Sequence, residues 1–464
     1  MRKVILAQIL SKLGRNILVT ILPQSRWDHH DRYIMKNNTP KSLTILHVSK
    51  WERWPGGAIA VNRLHEALIQ NHANSKVLVE NRVSSYDPSI VQVTPPKVSY
   101  TKQAYAWLRN LRDQGSLASP NDSTVSLFSP NLRPNYIARH INNTDCDLVH
   151  VHFARDNFLP IYEVSRIKKP IVWTLHNCWP FTGGCQIQWN CKRYQKDCGK
   201  CPLLKSSDEK DLSYKVLGSK KRYWSDLNMT LIAPSRWIYD AAKRSSLFCN
   251  KRIELIPNGL DTSLFRPIDK KTARSVLGLP KNKAIILFGA ENSTGQPHKG
   301  FSHLVQALNS KRLKPKSKQT ELVVFGSSDP KEKRLFQFRQ HYLGTIREQR
   351  FMALLYNAAD VFVAPYLVDN LPSTVIESIS CGTPVASFNS GGLNDIIDHK
   401  KNGFLAKPHD SDDLAEGIDW ILDHIASNHL SKNAREKAIE VFDQNIVAQK
   451  HISLYQDIIG NTKR

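Results

Sequence analysis

What most constrains this chain is a repeating alternation. Short, continuously apolar, β-rich runs fall at 43–48, 76–80, 148–152, 171–175, 231–234 and 253–257, and a second series falls at 284–289, 321–326, 361–365 and 384–388. Between many of them lie segments with helical spacing, among them 58–70, 301–308 and 374–380. Runs without polar alternation suit strands buried on both faces, and strands separated by helices pair in parallel. The expected fold class is therefore α/β, with two Rossmann-like doubly wound domains. A length of 464 residues also exceeds what a single core organises. The turn signal Asn258-Gly259 and then Pro267 interrupt the pattern. This gives an N-terminal domain over 43–266, a C-terminal domain over 267–440, and a closing helix over 441–464 that returns to the first domain. Ligands of open α/β sheets bind outside the strand carboxyl ends, so two such domains facing each other would frame a cleft.

The formal charge is +24, from 65 basic and 41 acidic side chains, which calls for an anionic partner such as a phosphorylated substrate, a phospholipid surface or nucleic acid. Short groups such as Lys220-Lys221-Arg222 stand out, but no aromatic-basic repeat of a nucleic-acid module does, and nucleic acid is not the expected partner. Residues 1–42 open with a basic, amphipathic stretch: Arg2, Lys3, Lys12, Arg15 and Arg26 accompany apolar residues at helical spacing, and no acid occurs before Asp28. Its uncharged part, 16–25, is too short to span a bilayer, which takes about 20 apolar residues. It reads either as a helix lying on an anionic membrane surface or as a terminal helix packed on the protein. No small-residue cleavage site follows Leu22, so a secretory leader is not expected.

Of the 8 cysteines, Cys178, Cys185, Cys191, Cys198 and Cys201 are clustered, which in an enzyme-sized chain points to metal binding in a reducing compartment. Cys185, Cys191, Cys198 and Cys201 supply four thiolates, enough for a closed tetrahedral Zn²⁺ site that orders its loop and leaves no open position for catalysis. Disulfides or an iron–sulfur cluster are the rival readings. Cys178 is a spare.

The densest motif is Asp369-Asn-Leu-Pro-Ser-Thr-Val-Ile-Glu377, running on to Gly382-Thr-Pro-Val385. A strand ends at Pro365, a loop carries Asp369, and a helix starts near Thr374, so free backbone N–H groups at its first turn can hold a diphosphate. Thr374-x-x-Glu377 also spells a capping box, which by itself accounts for the glutamate. Lys299-Gly300 follows a strand and precedes a helix; the lysine can reach phosphate oxygens or stand as a solvated surface residue. His176 ends a strand at the ligand edge, as a site residue or a structural one, and His150 and His152 end the preceding strand. Gly57, in Trp54-Pro-Gly-Gly57, permits close backbone approach or a simple turn. Neither a P-loop nor a Gly-x-Gly-x-x-Gly fingerprint occurs, against an ATPase or NAD enzyme.

Taken together these motifs resemble the retaining glycosyltransferases of family 4 (glycosyl transferases group 1) with the two-domain GT-B fold, of the bacterial surface-polysaccharide type with a cysteine-containing insert, here 178–202. The resemblance is carried by the stretch from His176 to Pro202, the acidic-x7-Glu motif, Lys299-Gly300, Ala233-Pro-Ser-Arg236, 256–261 and Gly391-Gly-Leu-Asn-Asp395. It implies transfer of a sugar from a nucleoside-diphosphate sugar, of UDP or GDP type, to a glycan or lipid-linked acceptor hydroxyl, with no cofactor for catalysis. It implies that His176, Asp369 and Lys299 serve the reaction and that Gly57, Arg236, Lys299, Leu371, Pro372, Ser373, Thr374 and Glu377 bind donor, with Glu377 on the ribose. His150 and His152 are read as acceptor-side. The family usually has Glu where Asp369 stands, and an Arg/Lys pair where only Lys299 matches. The location implied is cytoplasmic, peripheral on the inner face of the plasma membrane. Two other classes remain: a zinc-stabilised nucleic-acid-binding protein, and a catalytically inactive nucleotide-sugar-binding relative.

Overall fold

A computed structural model describes residues 43–53, 56–83, 87–93, 127–133, 135–289, 296–326 and 335–462. The basic segment 1–42, Trp54 and Pro55, and most of the Pro/Ser/Asn-rich stretch 89–130 lie outside the described residues. Contacts divide the chain into two compact units, with breaks after Gly259 and again after Gln444. The first break falls a few residues before the expected 266, at the Asn258-Gly259 turn itself.

Each unit is built on one parallel sheet. The first contains β1 (Thr44–Trp51), β2 (Asn74–Asn81), β3 (Ile90–Gln92), β4 (Leu148–Phe153), β5 (Ile171–Thr174), β6 (Met229–Ala233) and β7 (Ile253–Leu255), in the order β3-β2-β1-β4-β5-β6-β7. The second contains β8 (Ala284–Gly289), β9 (Thr320–Phe325), β10 (Arg339–Tyr342), β11 (Val361–Ala364), β12 (Val385–Phe388) and β13 (Gly403–Ala406), in the order β10-β9-β8-β11-β12-β13. Each order runs outward from its first strand and then jumps to that strand's other side, so a topological switch point falls between β1 and β4, and between β8 and β11. β3, β10 and β13, which the apolar runs did not announce, all lie at sheet edges. An edge strand is covered less fully, so Arg339-Gln-His-Tyr342 can form one without an apolar run.

Strand alternation sorts the first sheet's two faces. Leu46, Val48, Val149, Val151, Ile171 and Trp173 enter one core. Ile45, Leu148 and Val172 enter the other, beneath Val447, Ala448, Leu454 and Tyr455 of the chain's last helix, Gln444–Thr462. On that second face, two residues further along β1 and β4, stand His47 and His150. In the second unit, two clusters likewise cover the two faces, with Leu287, Val323 and Phe362 on one side and Ile286, Val324 and Val363 on the other. Among the described residues no helix is long and apolar enough to cross a membrane.

One buried ionic knot pins the amino ends of the second sheet. The Arg274 guanidinium donates to Asp360 Oδ2 at 2.6 Å and to the Ala358 and Lys283 carbonyls at 2.9 Å each; Asp360 also accepts from the Ile285 N–H at 2.7 Å and from Lys270 Nζ at 2.6 Å. Arg274 and Asp360 are 5% and 6% exposed, so neither falls back on water. Removing one partner of such a pair leaves the other's charge poorly compensated. Arg274→Met is therefore expected to cost about 3–5 kcal/mol in denaturant unfolding of this unit, whereas Arg312→Met, at an exposed pair with Glu416, should change stability by less than about 1 kcal/mol.

Candidate functional site

In the second unit the predicted donor residues gather at the carboxyl ends of β8 and β11, at the switch point. Lys299 Nζ pairs with Asp369 Oδ2 at 2.7 Å and sits 4.3 Å from the centre of the Tyr366 ring. Both side chains are partly open, at 15% and 21% exposure. Two glycines make the approach possible. Gly300 has φ +70°, and a Cβ there would lie 1.8 Å from the Pro365 carbonyl oxygen; Gly391 has φ +57°, and its Cβ would lie 2.0 Å from the Asp369 carbonyl oxygen. The Gly392 N–H then donates to that same carbonyl at 2.9 Å, so the Gly391-Gly392 signature braces the backbone of Asp369.

The helix Ser373–Ser380 begins one residue before the expected Thr374, with Pro372 at its N-cap and no side-chain capping bond. The capping box is not made. Thr374 Oγ1 hydrogen-bonds the Tyr366 hydroxyl at 3.0 Å, and the Tyr356 hydroxyl donates to Glu377 Oε2 at 3.0 Å. Glu377 is buried at 7% exposure, so its contact with Tyr356 holds a carboxylate in a site poor in water. Leu371 is buried and Ser373 and Thr374 are half-buried around the helix's first turn, whose N–H groups lack intrahelical acceptors by geometry. Tyr356 and Tyr366 are the site residues that motif reading missed. Tyr366 had a signal: it directly follows the strand end Ala364-Pro365, at the ligand edge.

In the first unit, alternation along β4 and β5 puts His150, His152 and Thr174 on one face, and His176 follows just beyond the end of β5. His47 Nδ1 and His152 Nε2 are 2.9 Å apart, and His152 Nδ1 and His176 Nε2 are 3.0 Å apart, so three imidazoles form a hydrogen-bonded chain. His176 also stacks on Phe153 at 4.8 Å. His47 and His152 are 0% and 4% exposed; burial holds both far below the ordinary value and pushes His176 down to about 3. The chain is thus neutral; a neutral ring offers one donor and one acceptor nitrogen, and His47 Nε2 is buried without a partner among the described residues.

His150 corrects an expectation. It is 0% exposed, with Nδ1 against the Tyr455 hydroxyl and Nε2 against Thr174 Oγ1, both at 2.7 Å. Enclosed under the last helix with both nitrogens engaged, it is a core hydrogen-bonding residue and does not face an acceptor. The ligand atoms of His47, His150 and His152 lie within 4.8 Å of one another, but both nitrogens of His150 and of His152 are already in hydrogen bonds. Gly57 lies in the first turn of the helix Gly56–Gln70, where a Cβ would come 2.2 Å from the Phe153 ring, so its smallness serves packing against the strand end. Arg236 opens the helix Arg236–Arg244 and lies over the Tyr239 ring at 5.2 Å.

Four of the insert's five cysteines, Cys185, Cys191, Cys198 and Cys201, are free thiols that line one small cavity. Burial raises Cys185 to about 11 and Cys198 to about 12, and raises Cys201 as well. Cys178 is fully buried in the apolar core, away from this role. Lys220, the first of the short basic group Lys220-Lys221-Arg222, is 0% exposed because the helix Leu212–Trp224 turns it inward.

Residues 269–437 match the family described as Glycosyl transferases group 1, and residues 86–264 match Glycosyltransferase Family 4. The chain belongs to the group 1 glycosyltransferases. It is 29% identical over 202 residues to D-inositol 3-phosphate glycosyltransferase 2 of Catenulispora acidiphila, covering 41% of this chain and 46% of that protein. It is 26% identical over 298 residues to the putative colanic acid biosynthesis glycosyl transferase WcaC of Escherichia coli, covering 60% and 70%. It is 34% identical over 122 residues to the N,N'-diacetylbacillosaminyl-diphospho-undecaprenol alpha-1,3-N-acetylgalactosaminyltransferase of Campylobacter jejuni, covering 26% and 31%. The chain thus spans less than half the length of the first and last of these relatives. Among solved structures, sucrose-phosphate synthase from Thermosynechococcus elongatus superposes with TM-score 0.63 at 20% identity over 90% of this chain and 100% of that one. Anabaena Alr3699/HepE in complex with UDP-glucose superposes at 0.58 and 16% over 89% and 100%. At these identities the structural likeness is one of fold.

The buried histidines of this glycosyltransferase make its stability acid-sensitive. His65 and His451 are pushed down to about 4 and His176 to about 3, from an ordinary 6.5. Below pH 6.5 the unfolded chain therefore binds protons that the folded one refuses, and stability falls with pH down to about 4. Each such group steepens the slope by about 1.4 kcal/mol per pH unit within its window. Thermal unfolding from pH 7.5 to 4.5 should show this decline, and His65→Asn should flatten it.

Proposed function

We propose that this glycosyltransferase moves a sugar from a nucleoside-diphosphate sugar of UDP type to a hydroxyl of a glycan or lipid-linked acceptor, with retained anomeric configuration, in the building of a surface polysaccharide. The observation that carries the reading is the pairing, at one switch point, of Lys299 with Asp369 and of Glu377 with Tyr356, beside the first turn of the helix Ser373–Ser380. A base that contacts ribose, a cation for diphosphate and a carboxylate for the sugar all serve one kind of donor. The Anabaena protein of the same fold was solved in complex with UDP-glucose, and the Campylobacter relative is named for a diphospho-undecaprenol acceptor; both support the class of substrate proposed.

In this reading Glu377, held by Tyr356, accepts hydrogen bonds from the ribose hydroxyls. The diphosphate lies at the first-turn N–H groups of Ser373 and Thr374, where helix end and ammonium both favour negative charge. Without donor, Lys299 is neutralised by Asp369. A diphosphate competes for the ammonium and frees Asp369 to accept from sugar hydroxyls. As the bond from the anomeric carbon to the phosphate oxygen breaks, charge grows on the leaving diphosphate, and Lys299 stabilises it without a divalent metal. The acceptor oxygen bonds the same face of the carbon and its proton passes to the leaving phosphate. Asp369 orients the sugar and forms no ester. In the first unit His176 stays neutral, with Nε2 against His152 Nδ1. The basic segment 1–42 and the net charge would hold the protein at the anionic inner face of the membrane, near a lipid-linked acceptor.

Calorimetric titration with UDP, GDP and ADP tests the donor class. UDP should bind, and Glu377→Ala should weaken it by about 1–3 kcal/mol, the loss of hydrogen bonds to a charged group. Undiminished binding by that variant, or no binding of any of the three, would count against the donor site. Mass spectrometry of the enzyme quenched during turnover should find no sugar on Asp369, and a trapped ester there would replace the front-face route by a double displacement.

A further inference from the structure

Beside the cysteine insert lies a fully buried lysine. Lys220 is 0% exposed and reaches inward from the helix Leu212–Trp224. Its ammonium donates to the Trp179 carbonyl and, at 2.9 Å, to the Thr182 carbonyl, and it lies 3.7 Å from the centre of the Trp179 ring. These neutral partners satisfy its donors but not its charge, and among the described residues no carboxylate pairs with it. A buried ammonium is costly unless an anion stands near. Burial pushes its pKa down to about 7, and thiolates at Cys185 and Cys198 would hold it charged.

Those two belong to the set of four. Cys185, Cys191, Cys198 and Cys201 line a cavity of about 20 Å³, and none is in a disulfide. The backbone around it is tied down from several sides. Cys185 bridges to Phe128, the Gly199 N–H donates to Ser213 Oγ at 3.0 Å, and the Cys201 N–H donates to Asp211 Oδ2 at 2.8 Å. Asp211 and Ser213 open the same helix that carries Lys220, so one element orders the Cys198–Cys201 loop and delivers the cation behind it.

We propose that these four thiols hold one Zn²⁺ as a closed tetrathiolate, and that Lys220 is its built-in counter-charge. Four thiolates around a divalent ion carry a net charge of minus two, and the ammonium offsets half of it inside a wall of tryptophan rings. Binding releases the thiol protons to solvent, with no change of oxidation state. No three of the four sulfurs lie within 4.8 Å of one another in this structure, so binding must draw them together around the ion. With all four positions filled, the metal orders the insert and takes no part in transfer.

The test uses the full chain purified under reducing conditions without added metal. Elemental analysis should find about one zinc per chain, lost in Cys198→Ser and kept in Cys249→Ser, whose cysteine is exposed elsewhere. Competition with a chromogenic chelator should show Lys220→Met binding zinc about 10–100-fold more weakly, the usual cost of losing a group behind the ligands. Lys220→Gln, which keeps donors for the two carbonyls and removes the charge, should weaken it similarly and guards against a Met variant that does not fold. Metal-free protein, iron with acid-labile sulfide, or cysteine pairs in disulfides would overturn the zinc site. Zinc bound as tightly by both Lys220 variants as by the parent would overturn the counter-charge.

Discussion

Parallel strand pairing is the constraint on which everything else in each unit rests. A parallel neighbour is reached only by crossing from the carboxyl end of one strand to the amino end of the next, so helices must cover both faces and loops must collect at the carboxyl ends. Where the strand order jumps from β8 to β11, two successive crossovers leave in opposite directions and open a crevice that neither fills. Lys299 follows the first of these strands and Asp369 the second, so the residues that meet there are 70 positions apart in the chain. The same jump from β1 to β4 brings His47 beside His150 in register.

The polar groups beneath the surface follow from what covers each face. One face of the first sheet is apolar, rich in tryptophan and valine. The other carries His47, His150, His152 and Thr174 under the last helix, where Tyr455 supplies a hydroxyl to match. Imidazoles suit this place because neutral rings both donate and accept, so they link into chains without burying a charge. A charge needs more. Asp360 meets two cations and a backbone N–H, Asp369 meets Lys299, and Lys220 meets two carbonyls and, among the described residues, no carboxylate.

Legibility in the sequence tracked how local the determining physics was. The central strands were readable because burial on both faces demands uninterrupted apolar runs, and β3, β10 and β13 were not, because an edge relaxes that demand. Asp369, Lys299 and Glu377 were singled out by the motifs around them, and the structure brings the first two together. Tyr356 and Tyr366 were not, since a tyrosine in a helix or after a strand looks the same whether it packs a core or orients a carboxylate. Thr374-x-x-Glu377 spelled a cap that the structure does not form, since Pro372 takes the cap position and both side chains turn to the tyrosines.

By itself the sequence determined the two α/β units, the strand edges at which function gathers, and the residue types available there, because periodicity and turn chemistry act over a few neighbouring residues. Only the tertiary structure decided which of those residues meet. It enclosed His150 and joined His176 to His47 through His152, and it buried Lys220, one of three consecutive basic residues, against Trp179. The physical reason is that burial and charge compensation depend on the faces two distant elements present to each other, which no local pattern encodes.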